Sequence, residues 1–189
     1  MQRCGWVNEH KPKYVKYHDE EWGVPVHDDN LLFEMLCLEG AQAGLSWETI
    51  LNKRDNYRKA FENFNAKKLS KYTDEKLLKL MNNEGIVRNK LKIFSVRTNA
   101  ILFLNIQKEF GSFDKYIWSF VNHKTKINKW KSLSEIPVTT KESDNMSKDL
   151  KTRGFKFIGS SICYAYMQAV GMVNDHLVKC FRHKLCFIK

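Results

Sequence analysis

His176 and Cys180 stand four residues apart near one end of the chain, and Cys4 and His18 lie near the other. On a helix, residues i and i+4 project from one face at a separation that a single metal ion can bridge. Two thiolates and two imidazoles suit tetrahedral Zn²⁺, which favours sulfur and nitrogen donors and has no redox chemistry. Four protein ligands leave no open coordination position, so such an ion would be structural and would not activate water. By joining the two ends it would close a very long loop, stabilising the fold by roughly 4 kcal/mol in the chain-entropy model. His183 and Cys186 follow closely behind Cys180 and compete for the same role, and the spacing leaves them open. The plain alternative is that Cys4 is an ordinary thiol and His176 a surface histidine.

Glu39 follows Leu32 by seven residues, Met35 by four and Leu36 by three, which puts a carboxylate on the face of a helix that otherwise points inward. Burial there is costly unless a ligand uses the charge, and the competing reading is a boundary glutamate that reaches solvent at the helix end. A small-residue turn, Gly40-Ala41-Gln42-Ala43-Gly44-Leu45-Ser46, then delivers Trp47 at the next helix start. Trp6, Tyr14, Tyr17 and Trp22 crowd the first thirty residues. Rings on irregular backbone usually fill cores, but beside a carboxylate they also suit an extruded base, stacked between aromatic faces and hydrogen-bonded at its edge.

A turn over 84–90 joins two amphipathic helices through Gly85, and backbone amides at the second helix start could hold a phosphate with Arg88, Lys90 and Lys92 adding charge. Any helical bundle contains such turns. Cys37 and Cys163 raise the separate possibility of thiol chemistry, though each lies in an apolar helical stretch that reads as core.

The elements that must position these groups are helical almost throughout. Asp28-Asp29-Asn30 offers capping chemistry for a helix through Glu39 that Gly40 and Gly44 should stop, and Ser46 caps a second running toward Phe61. Thr73-Asp74-Glu75 opens a third, ending at Gly85. A long helix follows from Asn89 to Gly111, and Ser112 caps another. The stretch 124–144 is polar, carries Pro137 and reads as a loop, with a short helix to Gly154 behind it. An apolar helix is expected from Ser160 to Val173, and a last helix-like stretch begins at Asn174-Asp175 and carries His176 and Cys180. Alternating strand patterns are scarce, which gives an all-α expectation.

Thirty-two Lys and Arg against twenty-one Asp and Glu leave a formal charge of +11, which points to a polyanionic partner. With 43% hydrophobic residues and 13% aromatics the chain can bury a core and is not disordered. Its 189 residues fit one large domain or two small ones. No apolar run reaches the ~20 residues that span a bilayer, and the first residues show no apolar export signal, so a cytoplasmic protein without membrane contact is expected. Five cysteines, an odd number, then suggest thiols or metal ligands instead of a disulfide framework.

Taken together, Arg3-Cys4-Gly5-Trp6, Tyr17-His18-Asp19, Glu21-Trp22-Gly23-Val24-Pro25, Leu38-Glu39-Gly40, Gln42-Ala43-Gly44-Leu45-Ser46-Trp47, Trp118-Ser119-Phe120-Val121-Asn122-His123, Arg153-Gly154-Phe155-Lys156-Phe157 and Asn174-Asp175-His176 resemble the bacterial 3-methyladenine DNA glycosylase I family, a divergent branch of the helix-hairpin-helix superfamily. The resemblance runs over nearly the whole chain. It implies one all-α, helix-hairpin-helix glycosylase-like domain over 1–189, with a helical core about 28–173 and terminal segments 1–27 and 174–189 tied by a structural zinc on Cys4, His18, His176 and Cys180. It implies that Glu39 and Tyr17 contact the damaged base, that Trp47 stacks on it, and that Gly44 and Leu45 enter the space left by the flipped nucleotide. Trp6, Tyr14 and Trp22 match family positions around that pocket. The catalytic Asp usual in the superfamily is missing from this family, and Glu39 is not its positional replacement. The turn at Gly85 also departs from the glycine-rich hairpin pattern.

The implied activity is hydrolysis of the N-glycosidic bond of 3-methyladenine in alkylated double-stranded DNA by a monomer with no lyase activity. The alternative is a zinc-stapled module that binds damaged DNA without catalysis.

Overall fold

The computed structural model describes residues 1–185, so Cys186 lies outside the described residues. Among the described residues there are ten α-helices, several short 3₁₀ and π turns and one pair of two-residue strands. The first, α1 (Pro12–Lys16), starts with a proline whose missing N–H costs nothing at that position, and it runs on into a π-helical turn over Tyr17–Glu21. The central helix α2 (Asp29–Gln42) buries ten consecutive residues from Leu32 to Ala41 and packs against the helices over Trp47–Ala60, Lys90–Phe110, Phe113–Trp118 and Ser160–Ala169. Asp28 caps it by accepting from the Leu31 amide at 2.8 Å. A short connector leads to α3 (Trp47–Ala60), which Ser46 caps through the Thr49 amide.

After α3 come α4 (Ala66–Leu69), capped by Asn65, and α5 (Asp74–Lys79), capped by Thr73. The long α6 (Lys90–Phe110) begins under an Asn89 cap and ends at Gly111, whose φ of 85° is the left-handed geometry glycine tolerates. Then follow α7 (Phe113–Trp118), capped by Ser112, α8 (Lys141–Thr152), α9 (Ser160–Ala169) and α10 (Arg182–Leu185). Phe33, Phe103 and Phe113, from α2, α6 and α7, stack in series with ring centroids 4.7 Å apart at each step, fixing the inner face of the bundle.

The structure corrects several expectations. Gly40 does not stop α2. It lies inside the helix because the chain passes against it: a Cβ there would sit 3.2 Å from the Phe157 Cβ and 3.3 Å from the Phe157 carbonyl oxygen. The third helix ends with a 3₁₀ turn at Leu80–Asn82, before Gly85. The loop 124–144 holds β1 (Lys126–Ile127), which pairs in parallel with β2 (Val173–Asn174), and it ends at Thr140, the cap of α8.

His176 and Cys180 are not on a helix. After β2 the chain is irregular over 175–177 and turns over 178–181, which brings both side chains into one cluster as a helix would have. Of the N-terminal aromatics, Tyr14 lies in α1 and Tyr17 in the π-turn, where no periodicity was legible, while Trp6 precedes α1 and Trp22 follows the π-turn. Among the described residues no helix is long and apolar enough to cross a membrane.

Candidate functional site

Tyr17 and Trp22 are presented by the π-turn and the residue after it, and Glu39 and Gln42 by the last turns of α2. Trp47 opens α3, and Ala165 and Gln168 belong to α9. With Trp6, Tyr14 and Ile136 these residues line one pocket of about 230 Å³. Every carboxylate, Tyr and Trp singled out from the sequence for base contact therefore converges on one place. Trp6 meets Tyr14 edge-on at 5.2 Å and Trp22 at 5.1 Å, and Tyr17 tilts against Trp47 at 5.2 Å.

Glu39 is only 3% exposed, which excludes the solvent-reaching alternative. Burial pushes its carboxyl up from the ordinary range to about 8. None of the hydrogen bonds or ion pairs among the described residues reaches it, so nothing inside the protein compensates its charge. Burial, aided by the nearby Glu39, holds the Tyr17 phenol well above its usual range, so its hydroxyl keeps its proton. Trp47 Nε1 is buried with no hydrogen-bond partner among the described residues. The lining contains no Lys or Arg, although the chain as a whole carries +11.

Sequence reasoning missed Gln42, Ile136, Ala165 and Gln168. Gln42 carried a usable signal, since three residues beyond Glu39 on a helix is the same face. Gln168 did not, because its amide is fixed by a bond from Nε2 to Asp175 at 2.8 Å that no local pattern shows. Asp175 also accepts from Tyr164, Asn128 and Trp130, so this buried carboxylate ties α9, the loop after β1 and the segment carrying His176 and Cys180 together.

Behind Trp6 and Trp22 lies the cluster of Cys4, His18, His176 and Cys180, all buried, with their donor atoms within 4.8 Å of one another. Three sulfur-to-nitrogen separations, Cys4 to His176, Cys180 to His18 and Cys180 to His176, are each 3.5 Å. Tetrahedral Zn–S and Zn–N bonds of roughly 2.3 and 2.1 Å require an edge of about 3.5 Å between such atoms. The outer ring nitrogens are spoken for: His18 Nδ1 donates to Asp19 at 2.7 Å and His176 Nε2 to the Trp22 carbonyl at 2.9 Å. Each bond leaves the inner nitrogen's lone pair facing the sulfurs, the arrangement a metal-binding histidine needs. Arg3 in turn holds Asp19 with bonds of 2.7 to 3.1 Å. Hydrogen bonding from Cys4 first, and then from His176 and His18, draws the Cys180 thiol down to about 2 against the effect of burial. His183 is turned away, donating to the Asn128 carbonyl at 2.8 Å, so it does not belong to this cluster.

Gly44 and Leu45 lie on the connector between Glu39 and Trp47. Gly44 has φ 76°, a Cβ there would meet nothing within 4 Å, and Leu45 is 41% exposed. Gly85 and Arg88, on a turn packed over α3, and Lys90, the first residue of α6, are not among the pocket's lining. A Cβ at Gly85 would fall 2.9 Å from the Asn56 Cβ, Arg88 pairs with Glu84 at 3.6 Å, and Asn89 already caps the start of α6 through the Lys92 amide. Lys92 is not a free cation. Its ammonium donates to the Ala41 and Ala43 carbonyls. At the other hairpin, between α8 and α9, Gly159 begins α9 with no side-chain cap and open space beside it. Burial drives the Cys37 thiol up, and the Cys163 thiol up to about 12, which removes both as nucleophiles.

Comparison with known proteins gives a consistent result. A family model described as methyladenine glycosylase matches residues 6–183. DNA-3-methyladenine glycosylase 1 of Escherichia coli (strain K12) is 49% identical over 180 residues, covering 95% of this chain and 96% of that protein. A crystal structure of 3-methyladenine DNA glycosylase I superposes with a TM-score of 0.93 at 48% identity, over 95% of this chain and 98% of the other. A variant of 3-methyladenine DNA glycosylase I, solved in complex with 3-methyladenine, superposes at 0.92 with 36% identity, over 95% and 96% of the two chains. By the extent of these matches, the chain belongs to the methyladenine glycosylase family.

Proposed function

We propose that this chain is a base-excision repair glycosylase that hydrolyses the N-glycosidic bond of 3-methyladenine in alkylated double-stranded DNA. One observation carries the reading: a pocket walled by five aromatic rings holds a single uncompensated carboxylate and no Lys or Arg, inside a chain of charge +11. Such a pocket suits a flat, cationic ring, and the surrounding charge suits the polyanion that delivers it.

Methylation at N3 places a positive charge on adenine, so the base leaves without first being protonated. The extruded base stacks on Trp47, and Glu39 and Tyr17 hydrogen-bond its edge. Cation–π contact contributes ~1 to 2 kcal/mol in favour of the methylated ring over neutral adenine. As the C1′–N9 bond breaks, its electron pair passes to the ring and cancels the charge there. Water adds to the oxocarbenium-like sugar carbon and releases its proton to solvent, leaving an abasic site and a neutral free base. No lysine lines the pocket to form a Schiff base, which supports a monofunctional hydrolase that leaves the strand intact.

The finer architecture belongs to the same proposal. The chain is read as one helix-hairpin-helix-type domain over 1–189, a monomer, with core about 28–173 and its terminal segments 1–27 and 174–189 joined by Zn²⁺ on Cys4, His18, His176 and Cys180. Zinc there would supply a cross-link and no chemistry, since the four donors fill its coordination sphere. Gly44 and Leu45 are read as the segment entering the duplex, and Gly85, Arg88 and Lys90 as backbone contacts.

Chromatography of bases released from methylated duplex DNA tests the reading. Free 3-methyladenine should appear with the strand unbroken, and Glu39→Gln and Trp47→Ala should each slow its release. Salt-sensitive DNA binding with no base released would instead establish the non-catalytic damage-binding module.

A further inference from the structure

Lys92 looks from the sequence like one more cation for a phosphate, yet its ammonium is committed inside the protein. It donates to the Ala41 carbonyl at 2.9 Å and to the Ala43 carbonyl at 2.5 Å. These are among the last carbonyls of α2, which have no partners within the helix. Left-handed Gly44 follows the cap residue, but Ala43 itself has φ −43° and ψ 117°, so the chain leaves the helix one residue early and turns the Ala41 and Ala43 carbonyls toward Lys92.

The placement is unusual for a cation. Lys92 lies in the first turn of α6, where the helix dipole disfavours positive charge, and no acidic residue shares that turn. The negative C-terminal end of α2 offsets the cost. Among the described residues, no other side chain outside α2 and α3 hydrogen-bonds the backbone of 41–46. Ser46 bonds only into α3, at Thr49, and Gly44 has nothing packed beside it.

We propose that Lys92 is a positioning residue that fixes the connector between Glu39 and Trp47, holding Leu45 ready to enter the duplex. It bridges α6 to the one segment whose two ends carry the base-recognising carboxylate and the stacking indole. The inference rests on the excision reading and deepens it, since Lys92 acts through the connector and touches neither base nor phosphate.

Lys92→Met removes both bonds at similar side-chain length. Displacement of a positioning segment by about 1 Å costs on the order of a hundredfold, and that loss is expected in kcat/KM for release of 3-methyladenine from methylated duplex DNA. The Kd for free 3-methyladenine, which enters the pocket without opening DNA, should stay unchanged. The slope of log kcat/KM against log salt should also stay unchanged, because no phosphate contact is lost. Lys92→Gln, which keeps one amide donor without charge, should fall by roughly tenfold, and it carries the test should Lys92→Met fail to fold.

A salt slope lower by about one would make Lys92 a phosphate contact and overturn the proposal. Free-base affinity falling in step with excision would overturn it as well, by showing that the residue holds the pocket. So would wild-type excision by either variant. A wild-type chain that released no base would instead remove the excision reading on which the proposal stands.

Discussion

Tyr17 and His18 are consecutive residues that face two different sites. Tyr17 lines the aromatic pocket and His18 points into the Cys/His cluster. The π-helical turn makes this possible by adding a residue to the helical ladder and rotating neighbours out of the 3.6 period. Trp6 and Trp22 complete the connection, because both line the pocket while Trp6 meets the His18 ring at 5.2 Å and Trp22 the His176 ring at 4.6 Å. The Cys/His cluster is the back wall of the aromatic pocket.

Metal removal should therefore reach the pocket. Metal analysis of purified protein should give about one Zn²⁺ per chain, and Cys180→Ser should lose it. Thermal unfolding should then fall to a lower temperature and free 3-methyladenine should bind more weakly, through Trp6 and Trp22. A metal-free protein of undiminished stability would refute the zinc assignment.

Glu39 gives a pH signature of defined sign. Its folded carboxyl lies at about 8 and its ordinary value at 4.5, so between those limits the folded state holds a proton that the unfolded state has released. Stability from this group is present below pH 4.5 and declines as pH rises toward 8, by at most about 1.4 kcal/mol per unit. Glu39→Gln should remove that decline and melt above wild type at pH 8, with the two curves converging near pH 4.5. Activity should change in the opposite direction. The ionised carboxylate attracts the cationic base, so kcat/KM should climb with pH up to about 8 in wild type and lose that limb in Glu39→Gln.

Arg54, 6% exposed on α3, donates to Glu34 of α2 at 2.7 Å and to Glu21 of the π-turn, locking together the elements that carry Trp47, Glu39 and Tyr17. Arg54→Met should destabilise the fold by about 3 kcal/mol in urea unfolding, the cost of stranding part of a buried ion-pair network. The loss is moderated because Arg58 also reaches Glu34, at 2.8 Å. Glu34→Gln, which leaves Arg54 its bond to Glu21, should cost less.

Much of this was legible in the sequence because it is local. Ser46, Thr73, Asn89 and Ser112 each cap the helix their position announces, and Glu39 stands on the inward face that its spacing to Leu32, Met35 and Leu36 requires. What stayed hidden depends on distant partners. The Glu34–Arg54 pair spans twenty residues, and the four donors on Asp175 come from Asn128, Trp130, Tyr164 and Gln168. His176 and Cys180 show a third case, in which a turn and a helix place i and i+4 on one side alike, so spacing found two members of the Cys/His cluster while assigning the wrong backbone.

Gly40 turns the same lesson into a measurement. Replacing glycine by alanine inside a helix normally stabilises by up to about 1 kcal/mol. Here the added Cβ meets the Phe157 Cβ at 3.2 Å and its carbonyl oxygen at 3.3 Å, and Phe157 is itself held at φ 57°. The backbone at Phe157 has little room to retreat, because Asn99 clamps the adjacent Lys156 from both sides, accepting from its amide at 2.9 Å and donating to its carbonyl at 3.1 Å. Gly40→Ala should therefore destabilise by roughly 1 to 3 kcal/mol, the range for overpacking a close contact. Because Glu39 is the preceding residue, the shift should also weaken binding of free 3-methyladenine. A more stable Gly40→Ala protein with normal base affinity would show that the loop over 155–159 yields freely and that α2 does not depend on this close approach.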